Sequence, residues 1–172
     1  MHRFEELTEH CTGFTLDALN ATHEKLLEAL ETSGATPLVK GLQMVQLQKA
    51  IFAIGMFSIF DAMLQDRLNC AKGFESASEI LRARGEHDLE DRFGNLRHAI
   101  NVLKHGRGRS YETLVAKAGT LPFRLRLPEE EFFFEGDVSE VSTLVEVDDE
   151  FVRSCAEVIR AVSKSVADPC TA

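Results

Sequence analysis

"LRHAINVLKHGRGRSY", residues 96–111, gathers two histidines, an asparagine, four cationic side chains and two glycines. Advancing about 100° per residue from Arg97, Arg97, Glu90, Asn101, Gly94, His105 and His98 fall within one arc, while Leu89, Phe93, Leu96, Ile100 and Leu103 gather opposite. Such segregation predicts an amphipathic helix, opened by Asp88 as its cap and ended by the glycine after His105. Gly106 and Gly108 then supply a tight turn, and Ser110 starts a short helix, "YETLVAKA", that ends near Gly119.

The flanking sequence carries similar helical signals. A first helix is expected from near Thr15, with Leu16, Leu19, Leu26, Leu27 and Leu30 at helical spacing and Gly34 as its C-terminal cap. Thr36 and Pro37 open a second that runs to about Cys70, proline being tolerated where its missing N–H costs nothing. Its apolar positions wrap nearly all round from Ile51 to Leu64, the pattern of a central helix or a dimer interface. Ser76 and Glu79 stand at capping-box spacing before a short helix ending at Gly85. "LPFRLRLP", "EFFFE" and "STLVEV" favour extended structure and predict a small edge hairpin. The last helix starts with Asp148 as cap, Asp149 and Glu150 in the first turn and Val147 stapled to Val152, and ends before Pro169. There is no repeat and no long linker. The reading is one domain over residues 1–172, mainly all-α, an up-and-down bundle of about five helices with a hairpin-like insertion at about 120–147.

Charge is distributed unevenly. The net charge of −9 argues against general affinity for nucleic acid, yet Glu129 to Glu150 holds ten acids and no lysine or arginine, while Arg92 to Tyr111 holds five cations and no acid. One hypothesis is that the acidic segment folds over the basic helix end and masks it. The run "AIFAIGMFSIF", residues 50–60, is closed off by Lys49 and Asp61 well short of the roughly 20 apolar residues of a membrane span, so no membrane association is expected. The first ten residues show no apolar stretch of a secretion signal, and the expected setting is cytoplasmic. Cys11, Cys70, Cys155 and Cys170 lie far apart and read as reduced thiols, at least two of them in the core. His98 and His105 have no carboxylate at metal-ligand spacing, so neither metal nor other cofactor is expected. His2, His10, His23 and His87 read as ordinary surface residues.

Solvated helix faces are usually built from Lys, Glu and Gln; His and Asn are poorer helix formers. Arg97, Asn101 and His105 stand four apart along one line, a row that could bring guanidinium, amide and imidazole to one phosphate. Lys104, Arg107, Arg109 and Ser110 extend it as candidate RNA- or phosphate-binding residues, with free N–H groups expected at the helix start. Asp61 is a possible acidic partner near the cleft, and more simply a capping or interface residue.

A bundle whose late helix carries "LRHAINVLKHG" resembles the HEPN (higher eukaryotes and prokaryotes nucleotide-binding) superfamily. In topology the likeness covers roughly residues 15–167, in motif only 97–106. Asn101 and His105 keep the family's asparagine-to-histidine interval, while seven residues separate Arg97 from His105 where the family has four to six. The resemblance implies a homodimer with two motif helices along a shared cleft, acting on RNA as a metal-independent endoribonuclease of a toxin–antitoxin or defence system, or as a non-catalytic binding module, with an antitoxin or other protein as partner. In the nuclease case His105 would be acid or base, Arg97 would stabilise the phosphorane, Asn101 would orient the phosphate or the imidazole, and His98 would be a second proton donor. The competing reading is a non-catalytic homodimeric interaction module whose polar stripe is an internal hydrogen-bond network.

Overall fold

The computed structural model describes residues 3–167. In chain order it holds six α-helices: α1 (Phe4–Thr32), α2 (Thr36–Leu68), α3 (Gly73–Ala83), α4 (His87–His105), α5 (Arg109–Val115) and α6 (Asp149–Ala167). No strand occurs among the described residues, and the protein is an all-α helical bundle. α2 is central, packing against α1, α3, α4 and α6, while α5 leans on α4. The core runs from Leu16 of α1 through Ala53, Phe57 and Phe60 of α2 and Phe93, Leu96 and Ile100 of α4 to Val152, Cys155, Ile159 and Val162 of α6. Phe57, Phe60, Phe74 and Phe93 join α2, α3 and α4, their contacting rings 5.4–6.5 Å apart between centroids. Edge-to-face pairs such as Phe74 with Phe93 add to the apolar burial.

Several expected boundaries move, each because a neighbouring element intervenes. α1 begins at Phe4 rather than near Thr15. Thr8 and Thr12, poor helix formers, are buried and donate their hydroxyls to the carbonyls of Phe4 and Thr8 at 2.8 Å, and Thr12 Oγ1 also reaches Met56 Sδ of α2 at 3.5 Å. Gly34 caps nothing: the helix leaves through Ser33 in extended conformation, φ −153°, toward Pro37 in the first turn of α2. α3 starts at Gly73, so Ser76 lies inside it and is no cap. The Phe74 N–H instead donates to Asp61 Oδ1 of α2 at 3.2 Å. Gly73 permits that contact, since a Cβ there would stand 2.7 Å from the Asp61 carbonyl oxygen and 2.8 Å from Leu64 Cβ.

Gly85 ends α3 as expected: at φ +73° its N–H donates to Arg82 O, and the Glu86 N–H to Leu81 O, both at 3.0 Å. The turn is so tight that α4 starts at His87 without a side-chain cap, leaving Asp88 in the first turn rather than before it. Glu86, the residue before α4, directs its carboxylate to Ser165 Oγ of α6 at 2.7 Å. α5 stops at Val115, and only a single 3-10 turn, Ala118–Thr120, follows.

The expected hairpin reduces to one antiparallel bridge, Leu125 with Val145. The Arg126 N–H donates to Leu144 O at 2.9 Å and the Glu146 N–H to Arg124 O at 3.0 Å. Pro122 and Pro128 lack the donors a longer ladder needs. The acids of the insertion also take backbone donors for themselves: Glu130 accepts from the Leu127 N–H, Glu140 from those of Phe133 and Phe134, and Asp137 from that of Ser139. α6 opens as read, the Phe151 N–H donating to Asp148 Oδ1 at 2.7 Å, with Val147 and Val152 both buried.

α2 contains an 18-residue window of mean hydropathy 1.5, long and apolar enough by length and composition to cross a membrane, although the run 50–60 alone is not. It is also not buried all round, since Met44 is 63% exposed, Ile51 53% and Ile59 55%. Of the cysteines described, Cys155 alone is buried, Cys70 is half-buried and Cys11 exposed; burial pushes the Cys155 thiol far above its ordinary pKa. Cys170, His2 and the expected helix end before Pro169 lie outside the described residues.

Candidate nucleic-acid interface

α4 turns its apolar side inward as read, with Phe93, Leu96 and Ile100 buried, and holds Arg97, His98 and Asn101 half-exposed and Lys104 and His105 exposed. Arg97 and Asn101 line a depression of about 330 Å3 with Asp61, Lys72 and Glu75. Arg97 also borders a second, of similar volume, that contains His98 and Lys117 among several acids. The guanidinium therefore stands on the ridge between two shallow basins. His105 lines neither. A helix rises about 1.5 Å per residue, so His105 stands about 12 Å along the axis from Arg97. The row therefore extends along the helix axis and does not converge on one point.

His98 departs from the rest of the stripe. Its Nδ1 lies 3.1 Å from Ser110 Oγ, joining α4 to α5. Burial first, then the charges of Arg97 and Lys117, hold its pKa below 6.5, so the ring is neutral at pH 7. A neutral, bonded imidazole fastens the two helices. Ser110 is correspondingly engaged, and α5, seven residues long, has no side-chain cap at its start. Asp61 is likewise committed: Oδ1 caps α3 and Oδ2 accepts from Gln65 Nε2 at 2.9 Å.

The turn after α4 is exposed and cationic. Gly106 closes the helix at φ +73°, its N–H donating to Val102 O at 2.8 Å. The Arg107 guanidinium lies 5.8 Å from the centre of the Tyr111 ring, and the Tyr111 hydroxyl donates to Arg126 O at 2.7 Å. Among the described residues, Arg97, Lys104, Arg107 and Arg109 have no acid within ion-pair distance, whereas Arg82, Arg92, Arg124 and Arg160 each have one. The acidic segment does not mask them. It bonds to its own backbone, to Arg124 through Glu130, and to α2, where Gln43 Nε2 donates to Val138 O at 3.2 Å.

Sequence reasoning missed Lys72 and Lys117, which join the two basins from outside α4. Lys72 pairs with Glu75 at 2.9 Å, which raises its pKa, first through that hydrogen bond and then through the charge. It also missed a polar knot between three elements: Lys49 of α2, 7% exposed, pairs with Asp149 of α6 at 2.8 Å, and Asn20 of α1 donates to the same carboxylate at 2.6 Å. Burial alone would raise the Asp149 pKa; the hydrogen bonds from Lys49 and Asn20 and the charges of Lys49 and Arg153 outweigh it and hold the carboxyl below 3.8. Beside it, burial first and then Asp148, Glu140 and Asp137, opposed by Arg124, push Glu146 above the usual carboxylate value. Among the described residues no group of three or more His, Cys, Asp or Glu side chains is placed to hold a metal ion.

No protein-family model, curated protein or solved structure matches the chain.

Proposed function

We propose that the protein is an RNA-binding module of HEPN-like design, which grips a phosphate backbone with the exposed end of α4 and the turn into α5. The observation that carries this reading is the set of unpaired cations Lys104, Arg107 and Arg109 on one exposed turn of a chain of net charge −9. Asn101 and Arg97, one and two turns back, extend the grip, and His105 stands in the last helical turn. A homodimer in the cytoplasm, with RNA and an antitoxin-like protein as partners, belongs to the same reading. The interval from Asn101 to His105 favours a second reading, metal-independent cleavage: the RNA 2′-hydroxyl attacks the adjacent phosphorus, the 5′-oxygen leaves, and His105 moves the proton.

The test is fluorescence anisotropy of a labelled single-stranded RNA in EDTA across a salt series. Reversing Arg107 and Arg109 to Glu should weaken binding more than tenfold and flatten the salt dependence, each lost phosphate contact removing about 0.7 from the log–log slope. Unchanged affinity and slope would overturn the proposal. Product ends from the same mixtures separate the two readings: a 2′,3′-cyclic phosphate that vanishes in His105→Ala marks a nuclease, while bound but intact RNA marks a binding module.

A further inference from the structure

The outer side of α2 carries a stripe that the core does not use. Lys40, Met44, Leu47, Gln48, Ile51, Ser58, Ile59, Ala62 and Asp66 are all exposed, and they recur at the three- and four-residue spacing of one helix face. Beside the stripe, α1 contributes Leu7 and Cys11 to an apolar groove of about 340 Å3, floored by Ile51, Gly55 and Ile59. Phe14, farther along α1, is 78% exposed. Burying such a face needs a partner, and the order of residues within the stripe says which one.

The stripe is complementary to itself when reversed. About residue 53 each position has a mate equally far on the other side: Met44 with Ala62, Leu47 with Ile59, Gln48 with Ser58, Ile51 with Gly55, and Lys40 with Asp66. Large stands against small twice, apolar against apolar once, amide against hydroxyl once and cation against anion at the end. A Cβ on Gly55 would meet nothing within 4 Å, so the space above it is open to an incoming isoleucine. Lys40 and Asp66 have no ion-pair partner within the chain among the described residues. From these observations we infer that a second copy of this chain docks on α2 in antiparallel register, with the two-fold axis crossing the outer face between Ile51 and Gly55 and the groove beside Ile59 receiving Leu47 of the other copy. The strip from Lys40 to Asp66 is about 39 Å long at 1.5 Å per residue. One to two helix diameters of width make it on the order of 400–800 Å2 on each copy, which at its upper end reaches the standard size of a stable interface.

This inference gives the homodimer of the proposed reading its interface and in that respect rests on it, but none of its residues is on α4 or in the turn after it, so dimer and RNA site are tested separately. Sedimentation equilibrium of the full chain tests it. The wild type should dimerise, and Ile51→Asp, a change at a position exposed in the single chain, should give a monomer with an unaltered circular dichroism spectrum. Lys40→Glu should weaken the dimer about three- to tenfold by setting two glutamates against two aspartates, and Lys40→Glu with Asp66→Lys should restore it. A dimer indifferent to Ile51→Asp would overturn the inference by placing the interface elsewhere. A wild type that stays monomeric would also overturn it; if that monomer floats with phosphatidylcholine vesicles, the stripe faces lipid instead. RNA anisotropy on the Ile51→Asp monomer reports separately on the α4 site.

Discussion

The inner and outer faces of α2 are almost equally apolar and are used in opposite ways. Inward, Ala53, Phe57, Phe60 and Leu64 are at most 2% exposed and meet aromatic rings from two other helices. Outward, Met44, Leu47, Ile51 and Ile59 are between 47% and 63% exposed. Hydrophobicity says that a face is to be buried, but only the geometry of the rest of the chain says whether the chain itself can bury it. Here α1, α3, α4 and α6 use up the inner arc, and the outer one is left over.

The sharpest way to break this contrast is to truncate one residue on each face. Phe57→Ala should cost about 3–5 kcal/mol in urea unfolding, because a large ring is lost from a packed site that cannot collapse. Next in size is the polar link on the border between the faces: Lys49→Met, which leaves Asp149 without its cation, should cost about 3 kcal/mol, at the lower end for a buried pair because the carboxylate is 32% exposed. The pH dependence sharpens that result. The Asp149 pKa is lowered on folding, so its contribution is present above pH 3.8 and is lost as pH falls through the folded value. The stability gap between wild type and Lys49→Met should therefore narrow in acid. His98, also lowered, makes both proteins less stable as pH falls below 6.5 and leaves the gap between them unchanged. On the outer face the effects become small or favourable. In dilute solution Gly55→Ala should raise stability by about 0.5–1 kcal/mol, since a mid-helix glycine is replaced and the new methyl meets nothing. Ile59→Ser should change it by less than about 0.5 kcal/mol, as for an exposed position. A large loss from Ile59→Ser would show that the two faces do not differ as described.

How much of this was legible depends on the range of the interaction. α4 and α6 could be read because their signals are local: a clean apolar arc, Gly106 after His105, and Asp148 three residues before the N–H it caps. The start of α1 could not be placed, because the partners that bury Thr8 and Thr12 lie on another helix. The cap of α3 was invisible for the same reason, Asp61 being thirteen residues upstream of Phe74. The alternation in "LPFRLRLP" was real, with Leu125 and Val145 buried, but prolines and local carboxylate bonds kept the ladder to a single bridge. As for the candidate site, the stripe on α4 was read as a surface correctly. Its convergence was not, since angular agreement on a helical wheel hides separation along the axis. Lys49 gave no hint at all: it looked like the polar end of an apolar run, and its anion is a hundred residues away.

That separation also sets the timing of folding. The helix that closes the core is made after the other five described, and its first residue is tied by Lys49 and Asn20 to the first two helices. At roughly 5–20 residues per second, translation from Lys49 to Asp149 takes about 5–20 s. Throughout that interval the emerging chain presents the side of α2 that α6 later covers, so a long apolar helix stays open to water for seconds before the fold can bury it.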